Sequence, residues 1–356
     1  MSNKAIEMLL EKMEQMKVDA FLVNSKANKY YLSGFTGTDG QVLIDQENQY
    51  VIADGRYFEQ LKSQSPDFTV VDNKMQMSKT VQKLIKQNGY KHVGFESDEM
   101  NVSEYLELLD DNMTLVPTQN WIENLRKIKR KDEIEKIQVA AKIADQTFEH
   151  ILKYIKPGMT EKQVANEIDQ YGVSLGADGP AFETIVASGK RSSLPHGHAS
   201  NKVIKNNELI IFDFGFLKDM YYSDITRTIA LGTVSDELKD IYEVTLNAQK
   251  NAIKACEAGV ELRKIDDTAR NYIAEKGYGD KFLHGTGHGL GLTVHEYPLL
   301  NQYSTSKLET GMTFTVEPGI YLEDIGGVRI EDDILIDENG EYQLLTESNK
   351  ELIIIE

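Results

Sequence analysis

Two stretches of this chain place carboxylates where an unpaired carboxylate is costly. In ELIIFDFGFLKDMYYSDITRTIAL, Asp213 lies inside the run IIFDFGF, whose nearly continuous apolar character predicts a strand buried on both faces. Read as two strands joined by a two-residue loop at Lys218-Asp219, the segment sets Asp213 directly opposite Asp224. Opposed residues have Cβ atoms about 4.5–5.5 Å apart, so two like charges repel unless something neutralises them. TFTVEPGIYLEDIGGVRIEDDILI reads as a second hairpin with its turn at Asp324-Ile325-Gly326-Gly327, which brings Glu317 towards Glu331. A carboxylate pair near 4 Å repels by about 4 kcal/mol at an effective dielectric of 20. Taken singly, an Asp or Glu in a strand usually sits on a solvated face; two such pairs on apolar strands call for cations.

The histidines support that reading. FLHGTGHGLGLTVHEYP holds His284, His288 and His295 among closely spaced glycines, and SGKRSSLPHGHAS adds His196 and His198 in a polar loop. A lone histidine is more often a packed core residue than a ligand, but glycine lets the backbone approach a bound group closely. GTGHGLG lacks the Lys-Ser/Thr ending of a phosphate-binding loop, which argues against a nucleotide. Four carboxylates and an imidazole form an oxygen-rich donor set suited to Mn²⁺, Co²⁺ or Zn²⁺, and two divalent ions balance four carboxylates.

The elements that must position these residues fall into two parts. Residues 1 to about 120 alternate helical and strand-like patterns: a helix near 3–17, the runs DAFLV, GQVLI and YVIAD, a helical RYFEQLKSQ, FTVVD, a helix near 78–88 and HVGFES. That order predicts an α/β domain over 1–125. The second domain, 126–356, opens with a long helix whose apolar positions Ile134, Ile137, Ala141, Ala144, Phe148, Ile151 and Ile155 keep a period near 3.6 until Lys156-Pro157-Gly158 ends it. It also carries an internal echo. KPGMTEKQVANEIDQYGVSLG aligns with EAGVELRKIDDTARNYIAEKG, superposing Gly158 on Gly259, Val164 on Ile265, Tyr171 on Tyr272 and Gly176 on Gly277. Two related halves facing each other around a cleft are expected.

Composition narrows the classes. Of 356 residues, 40% are hydrophobic and 27% charged, as in ordinary globular proteins. A net charge of −18 repels nucleic acid and anionic membranes, so neither is an expected partner. The chain has no run of 18 apolar residues and begins with an amphipathic helical pattern rather than a signal peptide, so a cytoplasmic protein is expected. The single cysteine, Cys256, cannot close an intrachain disulfide and reads as a packing residue.

Together, FDFG…SDITRT, HGTGHGLGLTVHE, VEPGIY and GVRIEDD resemble the pita-bread metallopeptidases, and among them the Xaa-Pro peptidases prolidase and aminopeptidase P. NKYYLSGFTGTDG resembles the creatinase/prolidase N-terminal domain. The resemblance implies an α/β N-terminal domain followed by an α+β pita-bread catalytic domain with pseudo-twofold halves. It places the family's metal ligands on Asp213, Asp224, His288, Glu317 and Glu331, with Asp224 and Glu331 shared by two divalent ions, manganese foremost and cobalt or zinc as alternatives. It places the substrate- and proton-handling histidines on His196, His284 and His295, and the arginine that supports the ligands on Arg329. The implied reaction is two-metal hydrolysis of the Xaa-Pro bond in dipeptides or at the N-terminus of short peptides, with Glu317 taking the proton of the attacking water. A homodimer is implied as well. One departure concerns substrate length: some prolidases carry, just after the HE-x-P segment, an arginine for the dipeptide carboxylate, and here Leu299 follows. Aminopeptidase P is therefore the nearest alternative. Methionine aminopeptidase shares the ligands but usually lacks the N-terminal domain, and a non-catalytic binding module on the same fold has no reason to keep four mutually repelling carboxylates.

Overall fold

A computed structural model describes residues 4–356. The chain divides into two compact units, one reaching to Arg126 and the other spanning Lys127–Glu356.

The first unit is built on a six-stranded mixed sheet in the order Thr69–Asp72, Gln49–Ala53, Gln41–Asp45, Ala20–Val23, His92–Glu96, Thr114–Thr118. Ala20–Val23 is central and wholly buried, which is why it is written with no polar side chain. Helices Lys4–Met16, Lys26–Ser33 and Met77–Asn88 alternate with the strands as expected for an α/β domain. The first expected helical residue, Asn3, lies outside the described residues. Ser25 caps Lys26–Ser33 by accepting from the Asn28 amide, and Gly34 closes it in the left-handed conformation.

In the second unit the long helix runs from Lys131 to Tyr154 and buries Ile137, Ala141, Ala144, Phe148 and Ile151 along one face, while Ile134 is half-buried. It packs with Glu161–Ser174 over strands Glu208–Phe214 and Ile225–Leu231, forming one core. Helices Asp236–Lys254 and Leu262–Glu275 pack over Thr313–Val316 and Asp332–Ile336, forming a second. The internal echo is structural. Gly158 N donates to Ile204 O at 2.9 Å and Ile204 N to Met159 O at 2.8 Å; in the other half Gly259 N donates to Leu308 O and Leu308 N to Val260 O, both at 2.8 Å. Gly158 and Gly259 have φ of 93° and 89°, and Gly176 and Gly277 have 103° and 90°, so the aligned glycines serve the same turns. Among the described residues no helix is long and apolar enough to cross a membrane.

Both hairpins differ in detail from expectation. The first turn centres on Asp219-Met220, whose φ values are 49° and 73°, with Lys218 paired to Tyr221. Positive φ at both central residues suits a tight two-residue hairpin turn, and centring it one residue later moves the register by two. Asp213 therefore pairs with Thr226, not Asp224. Because side chains alternate with a period of two, Asp224 stays on the face of Asp213, diagonal rather than opposed. The second turn is the three-residue loop Glu323–Ile325, closed by Leu322 opposite Gly326, and is not centred on the two glycines. Thr313–Val316 with Asp332–Ile336, and Gly319–Leu322 with Gly326–Arg329, keep one common register. Glu317 and Glu331 thus stand across from each other in the gap where the hairpin passes from one sheet to the next.

Candidate metal centre

That gap is where the halves of the second unit contribute their acids. The Glu317 amide donates to Thr286 O at 2.8 Å and the Glu331 amide to Thr226 O at 3.1 Å, so each is tied to the neighbouring strand rather than to a ladder of its own. Thr226 Oγ1 donates to Glu331 Oε2 at 2.6 Å. The Asp224 amide donates to Asp333 Oδ2 at 2.9 Å, and Asp224 Oδ1 is buried with no hydrogen-bond partner.

His288 is carried by the short strand Gly287–Gly289. A Cβ on Gly287 would stand 1.9 Å from Thr315 O and one on Gly289 2.2 Å from Tyr297 O, so only glycine lets this strand lie close between its neighbours. His288 Nδ1 faces the Gly289 carbonyl at 3.1 Å. A carbonyl only accepts, so the proton sits on Nδ1 and the lone pair on Nε2. Nε2 then points at Glu317 Oε1, 3.4 Å away, and Asp224 Oδ2, 3.8 Å away. Lone pairs of two carboxylates and an imidazole converge there.

Electrostatics states the same conflict. Burial first, then Glu331 and Asp213, push the Asp224 carboxyl well above the usual carboxylate range, and burial with Glu317 and Asp213 does so for Glu331. Burial raises Glu317 as well, against the lowering influence of His284 and Arg329. Burial lowers His288, His284 and His295 below the ordinary imidazole value. A divalent ion would relieve this repulsion, and the orphaned Asp224 oxygen and the Nε2 lone pair are donors of the right kind.

The nine candidate ligand, histidine and arginine residues of the sequence line one open cleft of about 700 Å³, and His198 lines it too. Asp224, His288 and Glu331 offer donor atoms within 4.8 Å of one another. Asp213 is held by Arg329 Nη2 at 2.5 Å, and Arg329 also donates to Tyr321 Oη at 2.8 Å. Tyr321 lies 2.8 Å from His284 Nε2, while His284 Nδ1 faces Gly285 O at 2.8 Å. The Tyr321 proton therefore goes to His284 Nε2, and burial pushes that hydroxyl up to about 12. The His295 ring centroid is 4.2 Å from that of His288. His196 lines the same cleft. Leu299, opposite His288 in the ladder, lines it as well. Cys256 lies away from the cleft, just past a helix; it is 2% exposed and burial pushes its thiol up to about 12, which leaves it inert.

Sequence reasoning did not single out Thr226, Tyr321 and Asp333. Tyr321 closes the VEPGIY stretch and Asp333 is the last acid of GVRIEDD, but a hydroxyl and a third acid become legible only when the register is known.

Two family models match the chain: Creatinase/Prolidase N-terminal domain over residues 6–128 and Metallopeptidase family M24 over residues 135–338. The chain belongs to metallopeptidase family M24. It is 38% identical to an Xaa-Pro dipeptidase of Pyrococcus horikoshii, over 99% of both chains. Among solved structures, an Xaa-Pro dipeptidase from Bacillus anthracis matches with a TM-score of 0.96 and 43% identity over 99% of both chains. An X-Pro aminopeptidase from Thermotoga maritima matches with 0.89 and 36% over 97% of this chain and 100% of that one. As a member of family M24 the protein is a hydrolase that works with divalent cations, and the buried donors around Asp224 fit such an ion.

Proposed function

We propose that this M24 metallopeptidase hydrolyses the Xaa-Pro bond of dipeptides and short peptides, with Asp213, Asp224, His288, Glu317 and Glu331 holding two divalent cations, manganese foremost. The observation that carries the reading is the convergence of buried carboxylates, one of them with an unpartnered oxygen on Asp224, and a histidine lone pair inside a cleft lined by four further histidines. When bound, such cations supply Lewis acidity and ionise water near neutral pH. The side chains do the rest. Glu317, whose carboxyl burial raises, takes the proton of the attacking water. The leaving proline nitrogen must be protonated, and His196, His284 and His295 are the groups in the cleft that can relay a proton or stabilise the developing oxyanion. Arg329 holds Asp213 in place and, through Tyr321, orients His284. Proline's tertiary nitrogen has no N–H, so histidine rings can pack where an ordinary peptide would leave a donor unpaired.

We take residues 1–125 as the creatinase/prolidase-like N-terminal domain and 126–356 as the catalytic domain, and we expect a cytoplasmic homodimer. Residence in a reducing compartment accords with a single buried cysteine; the dimer rests on the family resemblance and is checked by light scattering, where a stable monomer contradicts it. Leu299 favours a second reading: a 41% exposed apolar side chain lines the cleft where some prolidases carry a carboxylate-binding arginine, which relaxes the limit on peptide length and suits an aminopeptidase. Rates on Ala-Pro, Ala-Pro-Ala and Ala-Ala decide among these. Preference for Ala-Pro makes it a dipeptidase, preference for the tripeptide an aminopeptidase, and efficient Ala-Ala cleavage overturns the proline assignment.

A further inference from the structure

A buried polar layer lies directly behind Glu331, and part of it comes from a remote segment. Glu331 falls between strands Gly326–Arg329 and Asp332–Ile336, so its backbone has no ladder of its own. Two contacts fix it: its amide donates to Thr226 O at 3.1 Å, and its carbonyl accepts from Arg227 Nη1. Arg227 is 1% exposed, and a guanidinium so buried needs a counter-charge and a full set of acceptors. Its Nη2 donates to Asp332 Oδ1 at 2.7 Å and to Ser348 O at 2.8 Å. The other Asp332 oxygen, Oδ2, accepts from Gln249 Nε2 at 2.7 Å and from Lys350 Nζ at 2.5 Å. Both Ser348 and Lys350 belong to the segment that follows strand Tyr342–Leu344. That segment is itself anchored, with the Ser348 amide on Asp145 Oδ1 at 2.8 Å, the Lys350 carbonyl accepting from Tyr242 Oη at 2.9 Å, and Ile354–Ile355 running parallel to Ile225–Leu231.

We propose that Lys350 is a positioning residue for the metal centre: through Asp332 and Arg227 it sets the backbone, and so the carboxylate, of Glu331. The inference rests on the assignment of Glu331 as a metal ligand made above. The Asp332 carboxylate has donors on both oxygens and, together with Thr226 O and Ser348 O, holds the Arg227 guanidinium where Nη1 also reaches the Glu331 carbonyl. With Lys350 removed, Oδ2 keeps a single neutral donor, and the carboxylate that meets the Arg227 fork is less firmly held.

Charge alone predicts the opposite sign, because deleting a cation near a cation site tightens binding. Calorimetric titration of metal-stripped full-length protein with Mn²⁺ separates the two. K350M is expected to bind Mn²⁺ about tenfold more weakly, at the low end of what groups behind metal ligands contribute, while K350R restores the wild-type affinity to within a few fold. K250M, which breaks the exposed pair between Lys250 of helix Asp236–Lys254 and Glu351 of the same segment, should leave it unchanged. Equal or tighter binding by K350M, failure of K350R to restore it, or an equal loss in K250M overturns the proposal. Should K350M not fold, Q249M removes the other donor from the same oxygen at constant charge, with a several-fold loss expected and unchanged affinity contradicting the linkage. A wild-type chain that takes up no Mn²⁺ overturns the metal reading, and this inference with it; wild-type uptake with unaltered variants overturns this inference alone.

Discussion

Glu331 and Asp332 are consecutive acids, 2% and 0% exposed, and they have opposite surroundings. Asp332 meets Arg227, Lys350, Gln249 and Thr346, two of them cations. Glu331 receives one hydroxyl, from Thr226, and faces Glu317 and Asp213, with Asp224 burdened by Glu331 in turn. Burial of an acid is therefore no mark of a metal site. What sets Glu331 apart as a proposed ligand is burial with the counter-charge withheld, and the change takes a single residue because successive side chains turn to opposite faces of the chain.

The comparison breaks first at turnover. Glu331→Ala and Asp224→Ala should each remove metal occupancy and lower kcat/KM by more than loss of one oxyanion donor does, roughly 10²–10³-fold, in steady-state assays with Ala-Pro. Asp332→Asn should act mainly on folding. It leaves Arg227 buried beside a neutral amide, so denaturant unfolding is expected to show a loss of about 3–5 kcal/mol, the cost of breaking a buried pair from one side. Metal-free Glu331→Gln, by contrast, should unfold no more easily than metal-free wild type.

Acidity sharpens the contrast. The Asp224, Glu317 and Glu331 carboxyls lie above their unfolded values, so from the ordinary carboxylate range upward the metal-free folded state binds more protons than the unfolded chain. Stability of the metal-free protein is then fully present below that range and falls as pH rises through the raised folded values. Melting temperatures of metal-free and Mn²⁺-loaded protein should converge at low pH and separate as pH rises, with protons released on loading; a constant gap across that range contradicts the assignment. The smallest effect belongs to Cys256→Ala, which touches no part of the cleft: turnover near wild type and a stability loss of about 1 kcal/mol. A folded but inactive Cys256→Ala would mean that the nucleophile has been misplaced.

Much of this was legible in residue order. Asp213 within IIFDFGF, Glu317 of VEPG and Glu331 of RIEDD pointed to the proposed centre because carboxylates on apolar strands call for a counter-charge, and the alternation of the first unit announced its sheet. Register was less legible. The turn residues that decide it, Asp219 and Met220, are not glycines, and nothing in their types marks them as the pair with positive φ. The one-residue error in the turn moved Asp224 from opposite Asp213 to its diagonal, yet parity kept both on one face, so the site survived the mistake. Lys350 and Asp332 could not be paired from sequence at all, since their contact depends on how a segment crosses the back of a sheet.

The central claim is that the cleft acids hold metal. Elemental analysis of the purified protein, joined to calorimetric titration of the chelator-stripped chain with Mn²⁺, tests it directly. Two divalent ions per chain are expected, with loss of Ala-Pro cleavage on stripping, recovered on refilling. Cleavage that survives exhaustive chelation with no detectable metal would contradict it.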